Sequence, residues 1–562
     1  MSTGLRIVIV GGVAGGASAA TRARRMNEDA EITLIEKDEH ISFANCGLPY
    51  YLGGEIAPRE KLLVATPELL QKRFRIRVLT RTEVVGIDRE ARAVAIHDRR
   101  TDERGLLPYD RLILAPGAVP IRPPLPGIDA PNVLALRNLA DTDRIHAKIH
   151  AAAGRRVAVV GAGYIGLEMA EQLTGQGVGV DLIELQPQVL PPVDPEMAEP
   201  LAQALRDKGV RLHLGTGLES VEVDAAGRAV AVILSNGERV PTDLVILGMG
   251  VRPLVDLARR AELQLGPQGG IAVNRSLQTS DPLIYAVGDA IEYPQGPTGG
   301  PQRMALAGPA NRAGRLAGEH AATGNAAPMG AVSGTAIVRV FDWTAAGTGL
   351  SVRAAHKLGL AARSVTIVAN HHAGYFPGAH PLTIKLAYEE PTGRILGGQV
   401  VGQEGVDKRI DVIATVIAFR GTVRNLADLD LSYAPPFGSA KDPLHLAAFA
   451  AVNHLNGLED FVDADADLAR YQVVDVRSAA EVAARPLAGA PQAINIPLDD
   501  LRDRLGELNA AEPTVVSCAV GQRGHAASRI LRQKGFRQVF NLSGGATIRQ
   551  RAMQAAGKLP GR

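Results

Sequence analysis

Twice along the chain a β-branched run breaks into glycines and resumes with helical period, in LRIVIVGGVAGGASAATRARR and in RRVAVVGAGYIGLEMAEQL. Each predicts a buried strand, a tight turn and a helix. A further strand follows each helix and ends in a carboxylate, EITLIEKD with Glu36 and VDLIEL with Glu184. That is the βαβ layout of a dinucleotide site. The helix N-terminus turns unpaired amides and the positive end of its dipole toward a pyrophosphate, and the carboxylate accepts hydrogen bonds from a ribose diol. In the first copy Gly11, Gly12, Gly15 and Gly16 make the turn with Ala14 among them, and Val13 stands where a glycine is usual. The second copy has Gly161, Gly163 and Gly166, with Tyr164 and Ile165 leading into the helix. Lys37 follows the first carboxylate.

Two strand-then-loop segments frame the second copy, RLILAPGAVP with Ala115 and Gly117, and TSDPLIYAVGDA with Gly288 and Asp289. The chain is therefore α/β. It has a discontinuous first nucleotide domain (1–118 and 250–328) and a second, Rossmann-like like the first, inserted at 119–249. Strands GTAIVRVF, HPLTIKLAYE and ILGGQVVG with the helix VDKRIDVIATVIAFRG make an α+β unit at 329–445. An alanine- and acid-rich stretch, 446–468, reads as a linker that starts helical. From 469 to 562 the short strands YQVVDVR, AINIPL, TVVSCAVGQRG and QVFNLSGG alternate with helices as a separate α/β domain.

Composition agrees with several folded domains. At 562 residues the chain exceeds one core, and 46% apolar with 21% charged residues is ordinary globular usage. A net charge of +2 gives no global footprint for nucleic acid or an anionic membrane. The apolar run at the N-terminus is shorter than a signal-peptide core, and no stretch approaches the roughly 20 apolar residues that span a bilayer. A cytoplasmic protein without membrane or nucleic-acid partners is expected, and no metal site is assigned. The only cysteines, Cys46 and Cys518, lie in glycine-rich segments; in a reducing compartment reactive thiols are expected rather than a structural disulfide.

The order GGVAGG, SFANCGLPYY, LAPGA, GAGYIGLE, YAVGDA and SYAPPFGSAKDP resembles the coenzyme A-disulfide reductase branch of the pyridine nucleotide-disulfide oxidoreductases over residues 1 to about 445. The tail, with VVDVR, CAVGQRG and NLSGG, looks like a rhodanese domain. Such fusions include NADH-dependent persulfide reductases. The resemblance implies FAD at the first nucleotide site, NADH at the second, and a homodimer. Tyr51 stands five positions after Cys46, where related reductases carry a second cysteine, and Tyr433 occupies the neighbourhood of their His-Pro base.

A thiol without a near partner is oxidised to a mixed disulfide, a persulfide or a sulfenic acid. Cys46 is expected at a helix start, where the dipole lowers its pKa. The resemblance further implies that Ser42 and Asn45 flank the thiol, that Tyr375 and Tyr433 supply a proton, often from the other subunit, and that Asn311 touches substrate. Ser18, Arg22 and Arg25, with Lys72, Arg73 and Lys441, would hold the phosphates of coenzyme A. Asp289 would bond the ribityl chain, and Glu168 would lie near the nicotinamide. Glu184, followed by Leu185 and Gln186, offers a 2′-hydroxyl a carboxylate and offers a 2′-phosphate no cation, so NADH is preferred to NADPH. In the tail, Cys518 opens an anion nest with Arg523 nearby, in the CxxGxR pattern of rhodaneses. The function expected is reduction of small-molecule disulfides or persulfides by NADH. The alternatives are an NADH oxidase or peroxidase cycling Cys46 through sulfenic acid, and a redox-sensing scaffold without turnover.

Overall fold

The computed structural model describes residues 4–150 and 156–559, in two compact units. The first comprises 1–161, 168–181 and 218–334, and the second 162–167, 182–217 and 335–562.

In the first unit a five-stranded parallel sheet has the order Ile284–Ala286, Arg111–Leu114, Arg6–Val10, Glu31–Ile35, Arg77–Leu79. Its central strand buries Ile7, Val8 and Ile9 in succession, the continuous apolar run of a strand covered on both faces. Helix Ala14–Met26 packs on helix Ala307–Thr323 through small residues. A Cβ on Gly314 would lie 2.1 Å from the Gly15 carbonyl oxygen, and one on Gly318 would lie 2.3 Å from that of Ala19, so only glycine permits this approach. The strands Arg156–Val160, Leu244–Leu247 and Val133–Ala135 run parallel beside one another as the start of the second nucleotide fold.

The second unit holds an antiparallel sheet ordered Ala336–Val340, Trp343–Gly349, Ile395–Gly402, Pro381–Glu389, Ala362–Asn370. Helix Val406–Ala418 covers it with Val406, Ile410, Ile413 and Ile417, one apolar stripe at helical spacing. Trp343–Gly349 and Ala362–Asn370 were not among the expected strands, because small and polar residues dilute their alternation.

A second, wholly parallel sheet in this unit has the order Asp460–Val462, Val539–Leu542, Thr514–Ser517, Gln472–Asp475, Ile494–Asn495. The expected linker 446–468 needs correction. Helix Pro443–Leu455 buries Leu444, Ala447, Ala448 and Ala451 in the core under the antiparallel sheet, and Asp460–Val462 is already an edge strand of the C-terminal sheet. The helical start was expected, but its burial and the three-residue strand after it were not, because a compositional reading sees neither packing partner. Among the described residues no helix is long and apolar enough to cross a membrane.

Candidate active site

The two glycine turns are built alike. Gly11 and Gly161 take φ of +99° and +104°, and a Cβ on either would strike a backbone oxygen, that of Ala115 at 2.0 Å or that of Gly248 at 2.4 Å. Glu36 accepts from the amides of Gly12 at 2.8 Å and Asp38 at 3.0 Å. Glu184 accepts from those of Ala162 and Gln186, both at 2.8 Å. Each carboxylate is thus locked against its turn by one oxygen apiece, which leaves a lone pair on each oxygen for a ribose hydroxyl. Burial pushes the Glu36 carboxyl up, opposed by the Asp38 and Gly12 amides, with Lys37 a minor opposing charge. Helix Ala14–Met26 has no side-chain cap and no acidic residue in its first turn, so its terminal amides suit a phosphate. A Cβ on Gly163 would meet nothing within 4 Å, which leaves open space over the second turn. These donor sets fit FAD at the first turn and NADH at the second.

Cys46 is tied to the first turn through its own loop. Ser42, in the left-handed region at φ 44°, donates its amide to the Gly12 carbonyl at 2.9 Å. Its carbonyl accepts from Val64 and Ala65, so the backbone of Ser42, rather than its hydroxyl, has a visible task. Asn45, Cys46 and Gly47 form a single 3-10 turn before the five-residue helix Leu48–Leu52.

The expectation of a lowered thiol pKa is overturned. Although the residue as a whole is exposed, desolvation of the sulfur is the leading cause pushing the Cys46 thiol up, followed by the charges of Glu168 and Asp289. A helix this short has little dipole to oppose two carboxylates. Tyr50, four residues on and not foreseen, donates to Glu168 at 3.2 Å and so marks Glu168 as part of the thiol's surroundings. Because a negative neighbour disfavours the thiolate, Glu168→Gln should move the pH midpoint of Cys46 alkylation by iodoacetamide downward. An unmoved midpoint would exclude Glu168 as a cause.

Asp289 is pushed up to about 6 from 3.8, chiefly by burial. Its folded-state pKa is raised, so folding favours the protonated form. The contribution of this group to stability is full below about 3.8 and is lost as pH rises through about 6. In the apoprotein at pH 7 the ionised carboxylate costs roughly 2–3 kcal/mol. Asp289→Asn should therefore raise the apoprotein's Tm at neutral pH, with the gain shrinking as pH falls through 6 in a series of thermal melts.

Of the candidate phosphate ligands, Ser18 and Asn311 meet, with Ser18 Oγ 2.6 Å from Asn311 Oδ1 on the surface. Arg25 lies over the Phe74 ring at 5.2 Å, which brings it to the helix Pro67–Phe74 that carries Lys72 and Arg73. Arg22 does not stand free. It is paired with Glu319, with Nε 2.9 Å from the carboxylate, so its charge is already answered across the helix pair. The carboxylate lies almost 300 positions away in the chain, beyond the reach of local pattern.

In the second unit the hydroxyls of Tyr375 and Tyr433 lie 2.9 Å apart, and both rings are exposed. The hydrogen bond to Tyr433 pushes the Tyr375 phenol up. Buried Arg409 holds the surrounding segments together: it bonds Asp442 at 2.7 Å and the His371 carbonyl at 2.7 Å, and Asp442 caps the helix that follows Lys441. In the C-terminal fold Cys518 is buried at the end of strand Thr514–Ser517, and its Sγ accepts from the Gly521 amide at 3.1 Å. The amides of Ala546 and Thr547 close on the carbonyls of Cys518 and Ala519. Arg523 does not act as a lone cation, because Glu481 grips it at 2.8 and 2.6 Å. That carboxyl is held at about 2, mainly by Arg523, whose own guanidinium is pushed up mainly by Glu481 and less by Cys518. Both cysteines are free.

Residues 5–314 match the pyridine nucleotide-disulphide oxidoreductase family. The chain belongs to that family. As a member of the pyridine nucleotide-disulphide oxidoreductases, FAD- and NADH-dependent flavoproteins, it also carries the family's dimerisation domain at 335–443, and a rhodanese-like domain follows at 459–547. It is 34% identical to an NADH oxidase of Methanocaldococcus jannaschii, across 80% of this chain and all of that one. It is 33% identical to a coenzyme A disulfide reductase of Staphylococcus aureus, across 79% and 99%. Two solved structures match nearly end to end. They are the reduced CoADR-RHD of Bacillus anthracis (43% identity, TM-score 0.93, 98% of both chains) and a NAD-dependent persulfide reductase from A. fulgidus (36%, 0.90, 97% and 100%).

Proposed function

We propose that this oxidoreductase reduces coenzyme A disulfide, coenzyme A persulfide or polysulfide with NADH through Cys46, as a homodimer, and that Cys518 carries sulfane sulfur. One observation carries the reading: Cys46 is a free thiol with Tyr51 where a resolving cysteine would stand, and a second free thiol closes a rhodanese-type loop on the same chain. The domains are assigned as FAD-binding at 1–118 and 250–328, NADH-binding at 119–249 and dimerisation from 329, with the rhodanese-type fold beginning at the strand Asp460–Val462.

The Cys46 thiolate attacks the sulfur–sulfur bond of the acceptor, which leaves a mixed disulfide on Cys46 and expels a thiolate. Tyr375 is protonated at neutral pH and shares its hydroxyl with Tyr433, so it is suited to hand a proton to that leaving thiolate across the dimer. FAD, held by the Gly11–Gly16 turn and Glu36, would supply the two electrons of NADH that reduce the mixed disulfide and free Cys46 and the second thiol. Ser42 keeps the Cys46 loop against the first nucleotide turn. Glu184 sets the preference for NADH.

The oxidase reading, drawn from the M. jannaschii relative's name, uses the same thiol. That relative aligns to 80% of this chain, whereas the persulfide reductase aligns to 97% of it. Anaerobic NADH oxidation with coenzyme A disulfide, coenzyme A persulfide or polysulfide, compared with aerobic oxidation without them, tests the choice. Turnover with oxygen alone would overturn the proposal. Cys518→Ser should keep reduction of coenzyme A disulfide and lose only the reactions that begin from sulfur on Cys518.

A further inference from the structure

The Cys518 loop is tied to the segment that joins the dimerisation fold to the C-terminal fold. That segment, Asn456 to Glu459, runs along one face of helix Gln522–Gln533, whose N-terminus carries the loop. His525, Arg529 and Arg532, spaced i, i+4 and i+7, reach it in turn. His525 Nδ1 lies 2.7 Å from Glu459 Oε2, Arg529 donates to the Leu458 carbonyl at 2.6 Å, and Arg532 donates to that of Gly457 at 3.1 Å. Arg532 also pairs with Asp460 at 2.6 Å.

Glu459 is buried to 1% exposure, an unusual place for a carboxylate unless its partners require it there. Its second oxygen, Oε1, accepts from Asn541 Nδ2 at 2.9 Å, and the same Nδ2 donates to the Gly521 carbonyl at 3.0 Å. Gly521 takes φ of +94° and donates its own amide to Cys518 Sγ. A continuous path therefore runs from Glu459 through Asn541 and Gly521 to the sulfur. Asn541 is itself buried, and its Oδ1 has no partner and rests over Gly524, where a Cβ would come within 2.2 Å. With its oxygen idle, the amide is oriented by what its nitrogen donates to.

We propose that Glu459 is a positioning residue for the Cys518 sulfur, acting through Asn541 and the backbone of Gly521, whose carbonyl Asn541 holds and whose amide meets the sulfur. The connection between the two folds is thereby part of the sulfur site. The role in sulfur transfer rests on the reading of Cys518 as a sulfur carrier. The positioning of the thiol does not rest on that reading.

Two measurements on the full-length Cys46→Ser protein separate these points. The first is the pH profile of Cys518 alkylation by iodoacetamide. Glu459→Ala frees Asn541 and weakens the Gly521 amide's hold on the sulfur; the lost carboxylate charge is offset because His525, raised mainly by Glu459, loses its own charge with it, so the midpoint should shift upward by about one unit. Glu459→Gln keeps an oxygen for Asn541 and should restore the profile, although it loses the charge that faces His525. A purely structural role predicts the opposite pattern, with both variants alike and the thiol profile unmoved. Asn541→Ala should reproduce the Glu459→Ala shift, and the double variant should add nothing further. If Glu459→Ala does not fold, Glu459→Gln and Asn541→Ala still decide: a shifted Gln profile or an unshifted Asn541→Ala profile overturns the proposal. The second measurement is the gain of one sulfur atom at Cys518 on exposure to thiosulfate, with sulfite released, read by mass spectrometry. Absence of that gain in a protein whose alkylation profiles follow the expected pattern would reject the sulfur-carrier reading and leave the positioning role standing.

Discussion

Cys46→Ser protein should bind FAD and NADH as the parent does, yet oxidise NADH with disulfide or persulfide acceptors at least about a thousandfold more slowly. The expectation follows from the absence of a stand-in. The position five residues on is Tyr51, and the remaining cysteine is buried at the end of a strand in the C-terminal fold. A serine hydroxyl has neither the acidity to ionise near neutrality nor the capacity to hold a sulfur–sulfur bond. The thiol is itself pushed up, first by desolvation and then by the charges of Glu168 and Asp289. Stopped-flow NADH oxidation under anaerobic conditions, with flavin content checked by absorbance, measures the loss. Residual turnover within tenfold of the parent would remove Cys46 from the mechanism.

Gly11→Ala should be nearly as damaging, through folding and flavin retention rather than chemistry. Its φ of +99° is costly for any residue with a Cβ, and that Cβ would lie 2.0 Å from the Ala115 carbonyl oxygen. Ala115 cannot easily retreat, because its amide is bonded to the Val10 carbonyl at 2.7 Å within the parallel sheet. Strain plus steric overlap should cost about 3 kcal/mol or more. A markedly lower Tm and protein purified without its full FAD complement are expected. Gly163→Ala makes the contrast. Its Cβ would meet no protein atom within 4 Å, so stability should change by less than about 0.5 kcal/mol while KM for NADH rises. Equal melting behaviour of the two variants would contradict this division between a glycine that shapes the turn and one that leaves room above it.

Local pattern determined a large part of this protein. The paired nucleotide folds were legible because a parallel strand buried on both faces must be a continuous apolar run, and because glycine is forced where backbone approaches backbone, as at Gly11 and Gly161. The separate α/β tail and the solitary Cys46 could likewise be read from residue type and spacing, since tight turns and redox thiols restrict the residues that serve them, whereas the rhodanese assignment of the tail came from its resemblance to that family. Tertiary structure alone decided what surrounds each charge. Arg22 is answered by Glu319, Arg523 by Glu481, and the Cys46 thiol is raised by desolvation and then by Glu168 and Asp289 rather than lowered by a helix. These partners come from distant segments, and a pKa is set by burial and by every charge within a few ångströms, quantities that a one-dimensional pattern does not contain. The strand Asp460–Val462 escaped for a related reason: three residues have no periodicity of their own, and only pairing with Val539–Leu542 makes them part of a sheet.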